Sequence, residues 1–122
     1  MSFQLYKKLS RIALEKFGDI VVEAEIISLP SGVPAKLRLN LADDSFVDVW
    51  LSGSRYSYHW QRGGSIFRHD NAPHPRWKHV RTFPKHFHRM REESVEESHL
   101  SDSPEDALTE FLSFIRREML GD

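Results

Sequence analysis

RYSYHWQRGGSIFRHD, residues 55–70, is the stretch on which the reading of this chain turns. Aromatic and polar residues alternate on both sides of Gly63-Gly64, the pattern of two short strands joined by a two-residue turn. Such a turn fixes a register in which Arg62 faces Ser65, Trp60 faces Phe67, His59 faces Arg68 and Tyr58 faces His69. Side chains then divide by face. Tyr56, Tyr58, Trp60, Phe67 and His69 share one side as core or stacking platform. Ser57, His59, Arg68 and Asp70 share the other, a polar cluster on a sheet.

The same signature extends upstream. In AKLRLNLA (35–42) the leucines alternate with Lys36, Arg38 and Asn40, as in a half-buried strand. SFVDVWL (45–51) follows the Asp43-Asp44 turn, and Ser52-Gly53 turns the chain into residue 55. IVVEAEIISL (20–29) is a further, β-branched strand, set apart by Pro30, Ser31, Gly32 and Pro34. Before it, Leu5, Leu9, Ile12 and Ala13 recur at 3–4 spacing with Tyr6 and Phe17 flanking, which predicts a helix over 3–17 stopped by Gly18. Residues 71–91 contain Pro73, Pro75 and Pro84 without a clean period and read as loop. Residues 92–102 are acidic and expected to be exposed. Ser103-Pro104-Glu105-Asp106 then opens a helix, with Ser as N-cap, Pro at the first helical position and acids in the first turn. Its apolar stripe is Ala107, Leu108, Phe111, Leu112, Ile115 and Met119, with Arg116 and Arg117 near its end. The expected fold is α+β in one domain over 1–122: an N-terminal helix, an antiparallel meander of about five strands, a His/Arg-rich loop and a C-terminal helix.

A length of 122 residues suits one domain with one core. No run of about 18 apolar residues offers a membrane helix, and the N-terminus lacks the continuous apolar stretch of a signal peptide. The absence of cysteine excludes disulfides and thiolate metal sites and makes the cytoplasm the expected location. A net charge of −1 conceals segregation: residues 54–91 carry nine bases and one acid, whereas residues 92–122 carry two bases and ten acids. A basic block followed by an acidic tail points to a polyanion surface or to a charge pair closed within the molecule.

Chemistry concentrates in the basic block, which holds six of the seven histidines. His59, His69, His74, His79, His86 and His88 are candidate general acids and bases, because imidazole titrates near neutrality. Metal-free RNA cleavage needs a base for the 2′-hydroxyl, an acid for the leaving oxygen and a cation such as Arg68 for the phosphorane. His86-Phe87-His88, with His74 and His79, also offers metal-ligand atoms. Asp70 is the one acid near them in sequence, the surrounding cations repel a dication, and no strong zinc spacing is present, so no metal or other cofactor is assigned. Bases alternate with aromatics at Arg76-Trp77-Lys78, Arg81-Thr82-Phe83 and Lys85-His86-Phe87, a composition suited to single-stranded nucleic acid. The competing reading is a solvated basic loop anchored by its rings. P-loop, dinucleotide and nucleophile-elbow motifs are absent.

Three pieces, Tyr56-Ser57-Tyr58-His59, Arg68-His69-Asp70-Asn71-Ala72-Pro73-His74 and Phe83-Pro84-Lys85-His86, resemble the TumE family, the toxin components of type II toxin–antitoxin pairs. The resemblance runs from about Ile20 into the C-terminal helix. It implies a small toxin with a helix-turn-helix antitoxin as partner and an activity directed at mRNA. Residues and resemblance together give a toxin acting on RNA as a metal-independent ribonuclease. Arg55, Arg68, Arg76, Trp77, Lys78, Arg81 and Lys85 would bind RNA. His74 and His86 would be the acid–base pair with His59 or Tyr58 in reserve, while Arg68 stabilises the phosphorane and Asp70 and Asn71 orient the loop. The alternatives are a non-catalytic module that binds nucleic acid or an acidic partner, and a metal-dependent hydrolase built on the histidine loop. The oligomeric state is left open, a homo-oligomer included.

Overall fold

The alternation around Gly63-Gly64 builds the centre of a larger sheet than the sequence suggests. The computed structural model describes residues 2–121. Helix α1 (Ser2–Lys16) leads into strands β1 (Val21–Ser28), β2 (Pro34–Leu41), β3 (Phe46–Ser52), β4 (Arg55–Arg62) and β5 (Ser65–Asp70). After a loop containing a short 3-10 turn (Pro75–Trp77) come β6 (His86–Met90), β7 (Val95–Glu97) and helix α2 (Pro104–Leu120). The seven strands lie side by side in chain order, each antiparallel to the next. The architecture is α+β as expected, with seven strands in place of about five.

The two added strands lie where residues 71–91 read as loop and residues 92–102 as an exposed acidic stretch. His86-Phe87-His88 does alternate, but its polar members are buried, so a pattern keyed to apolar residues misses it. β7 is three residues long, too short for any period to show.

The register of β4 on β5 is Arg62↔Ser65, Trp60↔Phe67, His59↔Arg68 and Tyr58↔His69, as the two-residue turn requires. Gly63 supplies a positive φ of 58° there, which glycine adopts without steric cost. Both helices cover one face. Tyr6, Leu9 and Ala13 of α1 join Leu37, Leu39, Val47, Val49, Tyr58 and Trp60 of the sheet and Leu108, Phe111, Leu112 and Ile115 of α2 in one core. Each fully buried leucine contributes about 2 kcal/mol. Trp60 is wholly buried, stacks on Phe67 at 4.9 Å and donates its indole N–H to Ser45 Oγ at 2.9 Å. Gly18 follows α1 where a Cβ would lie 2.8 Å from the Leu14 carbonyl oxygen, so no other residue fits without a shift. Ser103 occupies the N-cap position of α2 without a side-chain capping bond, and Gly121 closes the helix at φ 75°.

Among the described residues no helix covers the other face. Cross-strand pairs there align Arg38, Asp48, His59, Arg68 and His88 in one row across five strands, and Ser57, Asp70, His86 and Glu97 in the next. The sequence segregates chemistry to this open face, and the meander delivers it in register.

Candidate functional site

Adjacent strands β5 and β6 bring Arg68 and Asp70 opposite His88 and His86. Asp70 is buried and accepts from three directions. Arg68 Nε donates to Oδ2 at 2.9 Å, the Ala72 N–H donates to Oδ1 at 3.0 Å, and His86 Nε2 lies 3.0 Å from Oδ1. Burial penalises the carboxylate, but the bonds from His86, Arg68 and Ala72 outweigh it and hold its pKa at about 2.

The two imidazoles are oriented from behind. His86 Nδ1–H donates to the Pro84 carbonyl at 2.9 Å, just after the cis Phe83–Pro84 peptide. With an acceptor at each ring nitrogen His86 favours the cation; burial opposes this, but Asp70 and the Pro84 carbonyl prevail and raise its pKa. His88 Nδ1–H donates to the Glu92 carbonyl at 2.7 Å, while its Nε2 stands 3.8 Å from Asp70 Oδ2. Burial lowers the His88 pKa, which favours the neutral ring, and in that form the Nδ1–H bond to Glu92 leaves the lone pair on Nε2. The two oriented imidazoles stand with ring centroids 4.9 Å apart.

Arg68 completes the cluster. Its Nη1 and Nη2 donate to the two carboxylate oxygens of Glu92 at 2.6 and 2.8 Å, a bidentate pair. His59 Nδ1 is 3.5 Å from Arg68 Nη1, and its Nε2 pairs with Gln61 at 3.0 Å. Arg68, Asp70, His86, His88 and Glu92 floor a cleft of about 300 Å³ whose rim is His74, Arg76 and Trp77 from the 71–85 loop, and His59 is not among its lining residues. The Trp77 ring meets His88 edge-on at 5.9 Å and lies 6.3 Å from His86. The Arg76 N–H donates to His74 Nδ1 at 3.2 Å, which leaves the proton of a neutral His74 on its exposed Nε2.

Of the candidates read from sequence, His74, His86, Arg68 and Asp70 line this cleft together with Arg76 and Trp77. Tyr58 does not reach it. Its side chain is on the helix-covered face, 2% exposed and packed against Tyr56 and Phe111, and burial raises its pKa, which removes it from the acid–base reserve. Asn71 ties the end of β5 to the start of β4: its Oδ1 accepts from the Tyr56 N–H at 3.0 Å and its Nδ2 donates to the Ser54 carbonyl at 2.7 Å. The expected binding residues divide. Lys85 donates to the Leu100 carbonyl at 2.6 Å and stands 3.3 Å from Asp102, so it anchors the segment before α2. Arg81 is exposed beside Glu97, and Arg55 and Lys78 are exposed away from the cleft floor. Glu92 is the residue the sequence reading passed over, and His88 was named among the candidate histidines without being given a role of its own. The HxH spacing was the one signal for His88; nothing in the sequence marks Glu92 apart from its neighbouring acids.

Asp70, His86 and His88 also offer one potential ligand atom each, all within 4.8 Å of one another. No helix among the described residues is long and apolar enough to cross a membrane.

Fold and site define a two-layer α+β protein whose uncovered sheet face carries a buried carboxylate, two oriented imidazoles and a guanidinium in one cleft. The family model described as Toxin TumE matches residues 9–119, and the chain belongs to the TumE toxin family. It is accordingly a toxin of the toxin–antitoxin kind, with an antitoxin as partner. No curated protein and no solved structure matches the chain.

Proposed function

We propose that this toxin acts on RNA by metal-independent transesterification in the cleft, with a helix-turn-helix protein as its antitoxin. The observation that carries the reading is that His88, Arg68 and His74 line one cleft. His88, its ring fixed by the Glu92 carbonyl, takes the 2′-hydroxyl proton. The freed 2′-oxygen bonds to phosphorus as the bond from phosphorus to the 5′-oxygen breaks. His74 in its protonated form gives its Nε2 proton to that leaving oxygen and is left as the neutral ring, and the products are a 2′,3′-cyclic phosphate and a 5′-hydroxyl. Arg68 stabilises the phosphorane once its terminal nitrogens exchange Glu92 for phosphate. His86 and Asp70 form the pair that keeps Arg68 and the cleft floor in place. Arg76 and Trp77 take the neighbouring phosphate and base, the guanidinium lying 5.0 Å from the indole ring.

The test is expression from a tightly controlled promoter, with RNA ends mapped as growth is followed. Arrest with new 5′-hydroxyl ends, both lost in folded His88→Ala and His74→Ala variants, is the expected outcome. Arrest without new ends, or full cleavage by His88→Ala, refutes the mechanism.

A further inference from the structure

The geometry points to a second state of this cleft: we propose that Asp70, His86 and His88 bind one Zn²⁺, and that the ion switches the toxin off. The inference rests on the acid–base reading above, because zinc would occupy the Nε2 atom that serves there as base.

Three features support the site. The donor set is two imidazoles and a carboxylate, the three-ligand complement of a zinc centre that keeps a fourth position open. Bonds of about 2.0–2.2 Å in tetrahedral array place neighbouring ligand atoms about 3.3 Å apart. His86 Nε2 lies 3.0 Å from Asp70 Oδ1 and His88 Nε2 lies 3.8 Å from Oδ2, and one ligand atom from each of the three residues lies within 4.8 Å of the others. Small rotations of buried, already converging side chains suffice.

The outer contacts are those a metal ligand needs. Each imidazole donates Nδ1–H to a backbone carbonyl, Pro84 for His86 and Glu92 for His88, which turns both Nε2 atoms toward the Asp70 carboxylate. Asp70 is held by Arg68 and by the Ala72 N–H.

Local charge admits the ion. Along residues 54–91 Asp70 is the one acid near the histidines, among many bases. In the fold the terminal nitrogens of Arg68 are bound by Glu92, so one guanidinium is set against two carboxylates. With neutral imidazoles the cluster carries a net negative charge. The fourth position opens to the cleft, where water or a substrate oxygen would complete the shell.

The experiment uses the full chain stripped of metal with a chelator. Co²⁺ is titrated in as a coloured probe, Zn²⁺ is used to displace it, and cleavage of mixed-sequence single-stranded RNA is followed in parallel. Expected are one equivalent of Co²⁺ with intense visible absorption, quenching of Trp77 emission, and displacement by Zn²⁺. His88→Ala should weaken binding by more than about 100-fold, beyond the range typical of outer-shell changes, whereas His99→Ala leaves it unchanged. If His88→Ala fails to fold by circular dichroism, Trp77→Phe supplies the check, since it removes the quenching and keeps the absorption band. RNA cleavage by the stripped protein should fall as Zn²⁺ fills the site. Active stripped protein with no saturable metal binding overturns the zinc site and leaves the acid–base reading standing. Inactive stripped protein restored by Zn²⁺ overturns both the inhibitory role and the acid–base reading.

Discussion

His69 lies between two residues of the open face yet points into the helix-covered core, and its burial makes a pH-dependent prediction. Its ring stacks on Phe87 at 4.2 Å, meets Phe111 edge-on at 5.6 Å, and bonds through Nδ1 to the buried Ser98 hydroxyl at 2.7 Å. Burial, with Lys85 and Arg89 adding, pushes its pKa down from 6.5 to about 4. The unfolded chain therefore takes up the proton first as pH falls. The stabilisation is whole above pH 6.5 and drains toward pH 4, a total of about 3 kcal/mol for the shift to about 4. By pH 5 roughly 2 kcal/mol of this is gone, with a slope of about 1.2 kcal/mol per pH unit. His69→Phe keeps the stacking and removes the titration, while stranding the Ser98 hydroxyl at a cost of about 1–2 kcal/mol. Urea denaturation of both proteins between pH 8 and pH 4.5 reads the difference, from which the other titrating groups cancel. The variant should be the less stable at pH 8 and the more stable near pH 5. A difference constant across that range would refute the buried, neutral histidine.

Two further outcomes follow from contacts around the cleft. Asn71→Ala removes the bonds to Tyr56 and Ser54 at 3.0 and 2.7 Å and should cost about 1–3 kcal/mol in urea denaturation; a change within error would mean that these bonds are replaced by water. Glu92→Gln removes a carboxylate that is 60% exposed and should cost under about 1 kcal/mol. By freeing Arg68 for one more phosphate, it should also steepen the dependence of log K for RNA on log salt by about 0.7. An unchanged slope would separate Arg68 from the RNA backbone.

Where side-chain alternation coincided with polarity, the sequence was sufficient. Residues 55–70 predicted their own register and both faces, and placed Arg68 and Asp70 together beneath His59. The period failed at β6 because His86 and His88 are polar residues in buried positions, a combination tolerated only where hydrogen-bond partners are supplied. Those partners are Asp70, sixteen positions earlier, and two backbone carbonyls, none of which a local pattern contains. Tyr58 erred in the other direction. A phenol beside a motif histidine looks reactive, yet the alternation that places His59 on the open face sends Tyr58 into the core.

On the proposed function, the acidic tail narrows where RNA would be held. In sequence the basic block looks like one continuous polyanion surface. Folded, Glu92 takes Arg68, Glu97 lies beside Arg81, Asp102 beside Lys85, Glu96 beside Arg89 and Glu93 beside Arg91. Most of these pairs are solvent-exposed, and each is worth little against a competing phosphate. Lys85 differs, because its bond to the Leu100 carbonyl ties it to the chain as well as to an acid. Arg76 and Lys78, on the loop that rims the cleft, have no ion-pair partner among the described residues. On that reading an incoming RNA strand would meet open charge at Arg76 and Lys78, beside His74 and Trp77. It reaches Arg68 only by displacing Glu92, whose backbone carbonyl also fixes the His88 ring. Release of Arg68 and alignment of the base are thus coupled through a single residue of the β6–β7 turn.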